Sequence, residues 1–221
     1  LIKVSNDSVL EMNIKKIANA GIEKIVVNSN YKHVSIKKFL KKLSFKVKGP
    51  KLIHSYEKEL LDTGGGFKNN LHEFEKKKIL LVNGDSLLGN SKRCCPILNL
   101  NLNFNERKMD VLLLLSKKKN TLGYKGKGDY KKVSKSYSAE LTRKKSIYDT
   151  RYIFTGWQII NKNLIGKFSE KKFSLKQVYD FAENNNRLYG IIHTGLFFHV
   201  GDPKSYSIIK NFISLKKINI L

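Results

Sequence analysis

Three groups of residues in this chain are of types that can hold a phosphate, a base or a metal ion. In Asp62-Thr63-Gly64-Gly65-Gly66, three successive glycines remove side chains where a backbone must approach something closely. Exposed amides in such a turn can hold a base edge or a phosphate oxygen; a plain turn ahead of a helix would use the same residues. The segment is neither a Walker loop, which ends in Lys-Ser/Thr, nor the G-x-G-x-x-G of a dinucleotide site. In Asn83-Gly84-Asp85, a hard oxygen ligand sits beside a glycine that lets a triphosphate come near. Mg²⁺ favours such carboxylates together with substrate phosphates. His193 and His199 flank Leu196-Phe197-Phe198, and strand alternation points them towards one face. His33, His54 and His72 have no comparable setting and read as surface or core. No Ser-His-Asp or Cys-His spacing supports a covalent hydrolase.

The elements that must position these groups alternate between apolar strand runs and segments of helical period, the pattern of a mostly parallel sheet covered by helices. Leu1 to Val4 reads as a strand, Ser8 to Ala20 as a helix closed by Gly21, and Ile25-Val26-Val27 as a strand. Val34 to Lys42 has helical spacing, Lys51 to His54 begins a strand, the glycine run interrupts, and Phe67 to Phe74 fits a short helix. Ile79 to Val82 is a doubly buried strand, which places Asp85 beyond its carboxyl end, where ligands of open α/β sheets collect. Val111 to Leu115 is a second such strand. Gly123 to Asp129 is a Gly- and Lys-rich loop, and Tyr152 to Ile160 is a strand with a polar break at Thr155-Gly156. Ser174 caps a helix to about Asn186, and Asp202-Pro203 caps the last one.

A chain of 221 residues supports one sizeable domain, and no repeat or linker suggests a second. No window approaches the roughly 18 to 20 apolar residues of a membrane span, so no membrane partner is expected. The formal charge of +25 suggests nucleic acid at first sight, but the lysines are spread through nearly every segment and arginines are few. That distribution reads as a solvated lysine-rich surface that also attracts anionic small substrates. Adjacent Cys94 and Cys95 suit neither an ordinary disulfide nor a metal site and read as reduced thiols of a cytoplasmic protein.

Taken in order, Leu60-Leu61-Asp62-Thr63-Gly64-Gly65-Gly66, Leu81 to Asp85, Met109 to Leu114, Gly126-Lys127-Gly128-Asp129-Tyr130, Phe154-Thr155-Gly156, Arg187 to Gly190 and His199-Val200-Gly201-Asp202-Pro203 resemble one family. It is the sugar-1-phosphate nucleotidyltransferases, in the branch of the N-acetylmuramate-1-phosphate uridylyltransferase and the mannose-1-phosphate guanylyltransferases. The resemblance implies a Rossmann-like, three-layer α/β nucleotide-diphospho-sugar transferase fold with a mixed, mostly parallel sheet. It implies that Asp62 to Gly66, with Asn83 and Gly84, bind the nucleotide. Asp85 and His199 would be the catalytic and metal-binding pair, and Gly128, Asp129, Thr155 and Gly156 would line the sugar-phosphate side. The implied reaction joins a nucleoside triphosphate to a sugar-1-phosphate with Mg²⁺ or Mn²⁺ and releases pyrophosphate. UTP with N-acetylmuramate-1-phosphate, in peptidoglycan recycling, is the leading pair, and GTP with mannose-1-phosphate the alternative.

Two departures accompany the resemblance. The family's glycine-rich opening with its Arg and Pro-Lys-Pro-Leu segment would precede Leu1, so residues 1–221 are expected to be one N-terminally incomplete domain, and a fragment or binding module without turnover is a competing reading. His199 stands where many members carry an aspartate, and a nitrogen ligand there favours a softer ion such as Mn²⁺ or a contact to phosphate. Oligomeric state is not legible.

Overall fold

The computed structural model describes residues 1–91, 95–143 and 151–216. Helix α1, Val9–Asn19, starts at Ser8, whose hydroxyl accepts from the Glu11 amide at 3.2 Å. It ends at Gly21, φ +78°, where the Gly21 and Ile22 amides donate back to Ala18 and Ile17, a closure that the left-handed glycine permits. Strand β1, Lys24–Ser29, helix α2, His33–Ser44, and strand β2, Lys51–Tyr56, follow. Next come α3, Asp62–Asn69, β3, Lys78–Val82, β4, Ser86–Leu88, α4, Pro96–Asn103, and β5, Val111–Ser116. The short strands β6, Thr121–Leu122, β7, Lys131–Lys132, and β8, Ala139–Thr142, lead to the long β9, Ile153–Asn161, and to α5, Lys162–Ile165. Helix α6, Leu175–Asn184, β10, Leu188–Ile192, β11, Phe197–His199, and α7, Pro203–Lys216, complete the described chain. The Ser174 hydroxyl accepts from the Lys176 amide at the head of α6, and Asp202 accepts from the Ser205 amide at the head of α7.

The main sheet has the order β3-β9-β5-β10-β8-β7. Its strands β5 and β10 pair in parallel, while β3 with β9, β9 with β5, β10 with β8 and β8 with β7 are antiparallel. The expected mixed α/β architecture is present. Strands β3, β5 and β10 do run in one direction, but β9 enters reversed between β3 and β5, so parallel pairing does not predominate. Two smaller sheets flank this one: β1 pairs with β2 in parallel, and β11 lies between β4 and β6.

Strand β5 shows why three layers form. Every residue from Val111 to Ser116 is buried, and alternate side chains serve opposite faces. Val111, Leu113 and Leu115 pack with Phe67 of α3, Leu164 of α5 and Val178 of α6; Leu112 and Leu114 pack with Ile14 of α1, Leu100 of α4 and Trp157. Each such fully buried aliphatic side chain contributes about 1.5–3 kcal/mol of transfer free energy.

Three expectations need correction. Leu1 to Val4 forms no strand; only Lys3 makes an isolated bridge, to Ser8. The glycine run is not a loop before a helix at Phe67, because α3 begins at Asp62 and contains all three glycines. His193 and His199 do not share a strand or face: His193 follows β10 in the main sheet and His199 ends β11 in a flanking one. Cys94 lies outside the described residues; Cys95 forms no disulfide and occupies the N-cap position of α4.

Candidate functional site

Strand β3 runs out at Val82 and leaves Asn83, Gly84 and Asp85 exposed at its carboxyl end. The turn is held by backbone bonds: the Asn83 amide donates to Gly156 at 2.9 Å, and the Val200 amide to the Asp85 carbonyl at 2.8 Å. That second bond ties the turn to the end of β11, whose His199 is in register with Ser86. Nothing would meet a Cβ within 4 Å at Gly84, so its surroundings are open.

The same pairing brings the two predicted metal residues together. His199 Nε2 lies 3.4 Å from Asp85 Oδ2, with the Asp85 side chain 46% and the His199 side chain 36% exposed. The imidazole holds the Asp85 carboxyl below its ordinary range, and Asp85 raises His199, burial opposing each shift. Gly201 makes room for this ring, since a Cβ there would come 2.6 Å from His199 Cε1. The Tyr124 ring meets His199 edge-on with centroids 6.3 Å apart. Burial, with Asp129 next, pushes the Tyr124 hydroxyl up to about 12, so it stays a donor across the physiological range.

The glycine run is used differently from the expectation. Gly64 and Gly65 amides both donate to the Phe173 carbonyl, at 2.9 and 3.1 Å, so these two donors are spent inside the fold. A Cβ on Gly64 would meet the Phe173 ring at 2.5 Å, one on Gly65 the Lys171 carbonyl at 2.3 Å, and one on Gly66 the Glu57 carboxylate at 2.0 Å. The glycines let α3 sit against residues 171–173 and against Glu57. Thr63 and Gly66 border the main cavity; Asp62, exposed and at φ +62°, accepts from the Thr63 amide.

The residues expected on the sugar-phosphate side make the following contacts within the fold. Asp129 accepts from the Tyr124 hydroxyl on Oδ1 and from the Phe154 amide on Oδ2, both at 2.8 Å. Thr155 is buried and donates its hydroxyl to the Leu114 carbonyl at 2.8 Å. Gly156, φ +79°, would place a Cβ 2.8 Å from the Asn83 side chain, and Gly128, φ +99°, one 2.6 Å from Arg151. Gly156 thus packs against Asn83, and Asp129 bonds the Tyr124 hydroxyl whose ring meets His199.

That cavity, about 1160 Å³, runs between β1 and β3 and opens where Asn28, Ser29, Thr63, Gly66, Asn83, Gly84 and Asp85 meet. Among the described residues no group of three or more His, Cys, Asp and Glu forms a closed metal cage. Mg²⁺ is ordinarily held by one or two carboxylates with phosphates and water completing its shell, and the half-exposed Asp85 carboxylate at the cavity mouth fits that arrangement.

Two polar contacts escaped the sequence reading. Glu57 is buried and accepts from Asn28 Nδ2 at 2.5 Å beneath Gly66, and Lys125 pairs with Asp202 at 2.9 Å beside the His199 turn. Nothing in the spacing distinguishes Lys125 from its lysine neighbours. A carboxylate ahead of a buried glycine run was the only available signal for Glu57.

No protein-family model matches the chain. It is 24% identical over 206 residues, 93% of this chain and 84% of the relative, to an N-acetylmuramate alpha-1-phosphate uridylyltransferase of Caulobacter vibrioides. It is 26% identical over 198 residues, 84% of this chain and 76% of the relative, to a D-glycero-alpha-D-manno-heptose 1-phosphate guanylyltransferase of Aneurinibacillus thermoaerophilus. Among solved structures, HddC of Yersinia pseudotuberculosis complexed with GMP-PN superposes with TM-score 0.72 at 20% identity, over 96% of this chain and 88% of that one. A UDP-glucose pyrophosphorylase complexed with UDP-glucose superposes with TM-score 0.73 at 8% identity, over 97% and 89%. The chain therefore has the Rossmann-like α/β fold of the nucleotidyltransferases, and the curated relatives it matches over most of its length are sugar-1-phosphate nucleotidyltransferases.

Proposed function

We propose that this chain is the catalytic domain of a cytoplasmic sugar-1-phosphate nucleotidyltransferase, using Mg²⁺ and a nucleoside triphosphate to make a nucleotide sugar. The observation that carries this reading is the Asp85–His199 contact at the carboxyl end of β3, at the mouth of a cavity rimmed by Thr63, Gly66 and Asn83. An oxygen of the sugar phosphate attacks the α-phosphorus, the new P–O bond forms, and the bond to pyrophosphate breaks. Asp85 would hold the divalent cation, which when bound offsets negative charge on the phosphates. His199, kept more basic by Asp85, donates an N–H to a phosphate oxygen. Asn83 and Gly84 leave open backbone beside the phosphates, and Thr63 with Gly66 forms the base side.

UTP with N-acetylmuramate-1-phosphate, a peptidoglycan-recycling reaction, is the leading substrate pair, in line with the Caulobacter relative. GTP with mannose-1-phosphate is the second reading; the relatives named as D-glycero-alpha-D-manno-heptose 1-phosphate guanylyltransferases support a guanylyl transfer, with a heptose phosphate as a further candidate acceptor. Incubating the protein with each triphosphate, each candidate sugar phosphate and Mg²⁺, and measuring pyrophosphate, tests both. Release with one pair identifies the substrates; no release with any pair overturns the reading. Activity unchanged in His199→Ala would remove His199 from the machinery.

A further inference from the structure

Residues 31–51 hold eight lysines and no Asp, Glu or Arg, so eight of the formal +25 charges fall on this one stretch. Helix α2 is its body, and the apolar stripe Ile36, Phe39, Leu40 and Leu43 packs against the core. Helix positions three and four apart share a face. Val34, Lys38, Lys41 and Phe45 therefore form the line opposite the buried stripe, Phe45 being the C-cap residue with a backbone still helical. Lys37 and Lys42 flank that line, and all six residues are exposed. Val34 is 52% exposed and Phe45 80%. Tyr31, just ahead of the helix, is 78% exposed, with the Lys32 ammonium 5.2 Å from its ring centroid.

Water alone does not select this arrangement. The outermost line of a surface helix is ordinarily polar, and a phenylalanine left there forgoes the free energy of burial. The lysines are not balanced either: Lys37 with Lys41, and Lys38 with Lys42, are like charges one turn apart, a destabilising spacing. Among the described residues none of the eight lysines forms a salt bridge. An anionic lipid surface relieves both costs. Its headgroups offset the lysine charges, and its boundary with the acyl chains admits apolar side chains while lysine stems lie along it. The expectation of no membrane partner rests on the want of a spanning run, and docking at a surface needs none. A nucleic acid supplies the charge but suits the helix less, because the stretch has no arginine to fork onto phosphates or base edges.

We propose that the outer face of α2, with Tyr31, is a docking surface for a membrane rich in anionic phospholipid. Val34 and Phe45 enter the boundary between headgroups and acyl chains, and Lys37, Lys38, Lys41 and Lys42 meet headgroup phosphates. The buried stripe stays in the core, so docking leaves the fold closed. Each lysine brought to such a surface strengthens partition roughly fivefold. The proposal stands whether or not the chain turns over nucleotides.

The test is cosedimentation of the whole chain with vesicles of phosphatidylglycerol and phosphatidylcholine, beside vesicles of phosphatidylcholine alone. Binding to the mixed vesicles only is expected, weakening by about tenfold or more between low and physiological salt. Lys38→Gln with Lys41→Gln should weaken binding by about twentyfold or more. Phe45→Ser should weaken it by about fivefold or more. Both variants should melt at the Tm of the unaltered chain, because these side chains point away from the core. Lys118→Gln with Lys119→Gln, the same loss of charge at exposed residues outside α2, should bind nearly as the unaltered chain does. No binding to the mixed vesicles overturns the proposal, and so does an equal loss in the two double variants, which would assign binding to overall charge. Tighter binding to a DNA oligonucleotide than to the vesicles, lost in the same α2 variants, would give the face to nucleic acid and overturn it as well.

Discussion

Two aliphatic-rich regions of this molecule, the β5–β9 pair and the facing strands β1 and β3, differ in how far their side chains are buried. Between β5 and β9, leucine, isoleucine and valine are sealed on both faces and every residue of β5 is buried. Between β1 and β3 the residues are again isoleucine, valine and leucine, yet Val26, Val27, Leu80, Leu81 and Val82 are only half-buried and face a cavity. Residue type sets the demand for burial, and in β5 a strand on each side, β9 and β10, meets it.

The largest expected difference between the junctions is in stability. Leu113→Ala at the closed junction should cost about 2–5 kcal/mol by denaturant unfolding, because it leaves a cavity in a packed layer. Leu80→Ala at the open junction should cost less than half of that. Equal costs would mean that the open edge is packed after all.

Next in size is a pH effect at the closed end. His193 is buried, and burial lowers its pKa from 6.5 to about 4, backbone hydrogen bonds to Leu196 and Gly89 opposing the shift. Between those values the unfolded chain takes up a proton that the fold refuses, so stability falls as pH drops from 6.5 towards 4. The loss is about 3 kcal/mol at most, at about 1.4 kcal/mol per pKa unit. Melting His193→Gln over this range should show a flatter acid limb; an unchanged slope would assign the loss to other groups.

A smaller effect separates the rims. In Gly66→Ala, beside the open junction, the added methyl would press on Glu57 and Asn28, with an expected cost of about 1–3 kcal/mol in thermal unfolding. A neutral result would show that the wall of the cavity yields.

Much of this architecture is legible in the sequence where burial is continuous. Ile79–Val82 and Val111–Leu115 read as strands because nothing polar interrupts them, and Ser8, Gly21, Ser174 and Asp202 mark helix ends through hydrogen bonds that need only their own side chains or φ. The glycine run misleads because each glycine disfavours a helix by roughly 1 kcal/mol, while packing against Phe173 and Glu57, distant in sequence, imposes one. The bonds of Asp129 to the Phe154 amide and of Thr155 to the Leu114 carbonyl were not legible, because a polar residue at a strand end looks the same in sequence whatever it bonds. Asp85 and His199 were readable singly, from a strand end and a strand-to-helix turn. Their 3.4 Å contact depends on the β4–β11 register, which links positions more than 100 residues apart.

The proposed function rests on that contact, and its most direct test is pyrophosphate release by the chain and by Asp85→Asn, each melted first to confirm folding. With the matching triphosphate and sugar phosphate, the unaltered chain should release pyrophosphate, and Asp85→Asn should be slower by about 10² to 10³, the scale for losing one preorganised charge-stabilising group. Equal rates in the two proteins would contradict the assignment of Asp85.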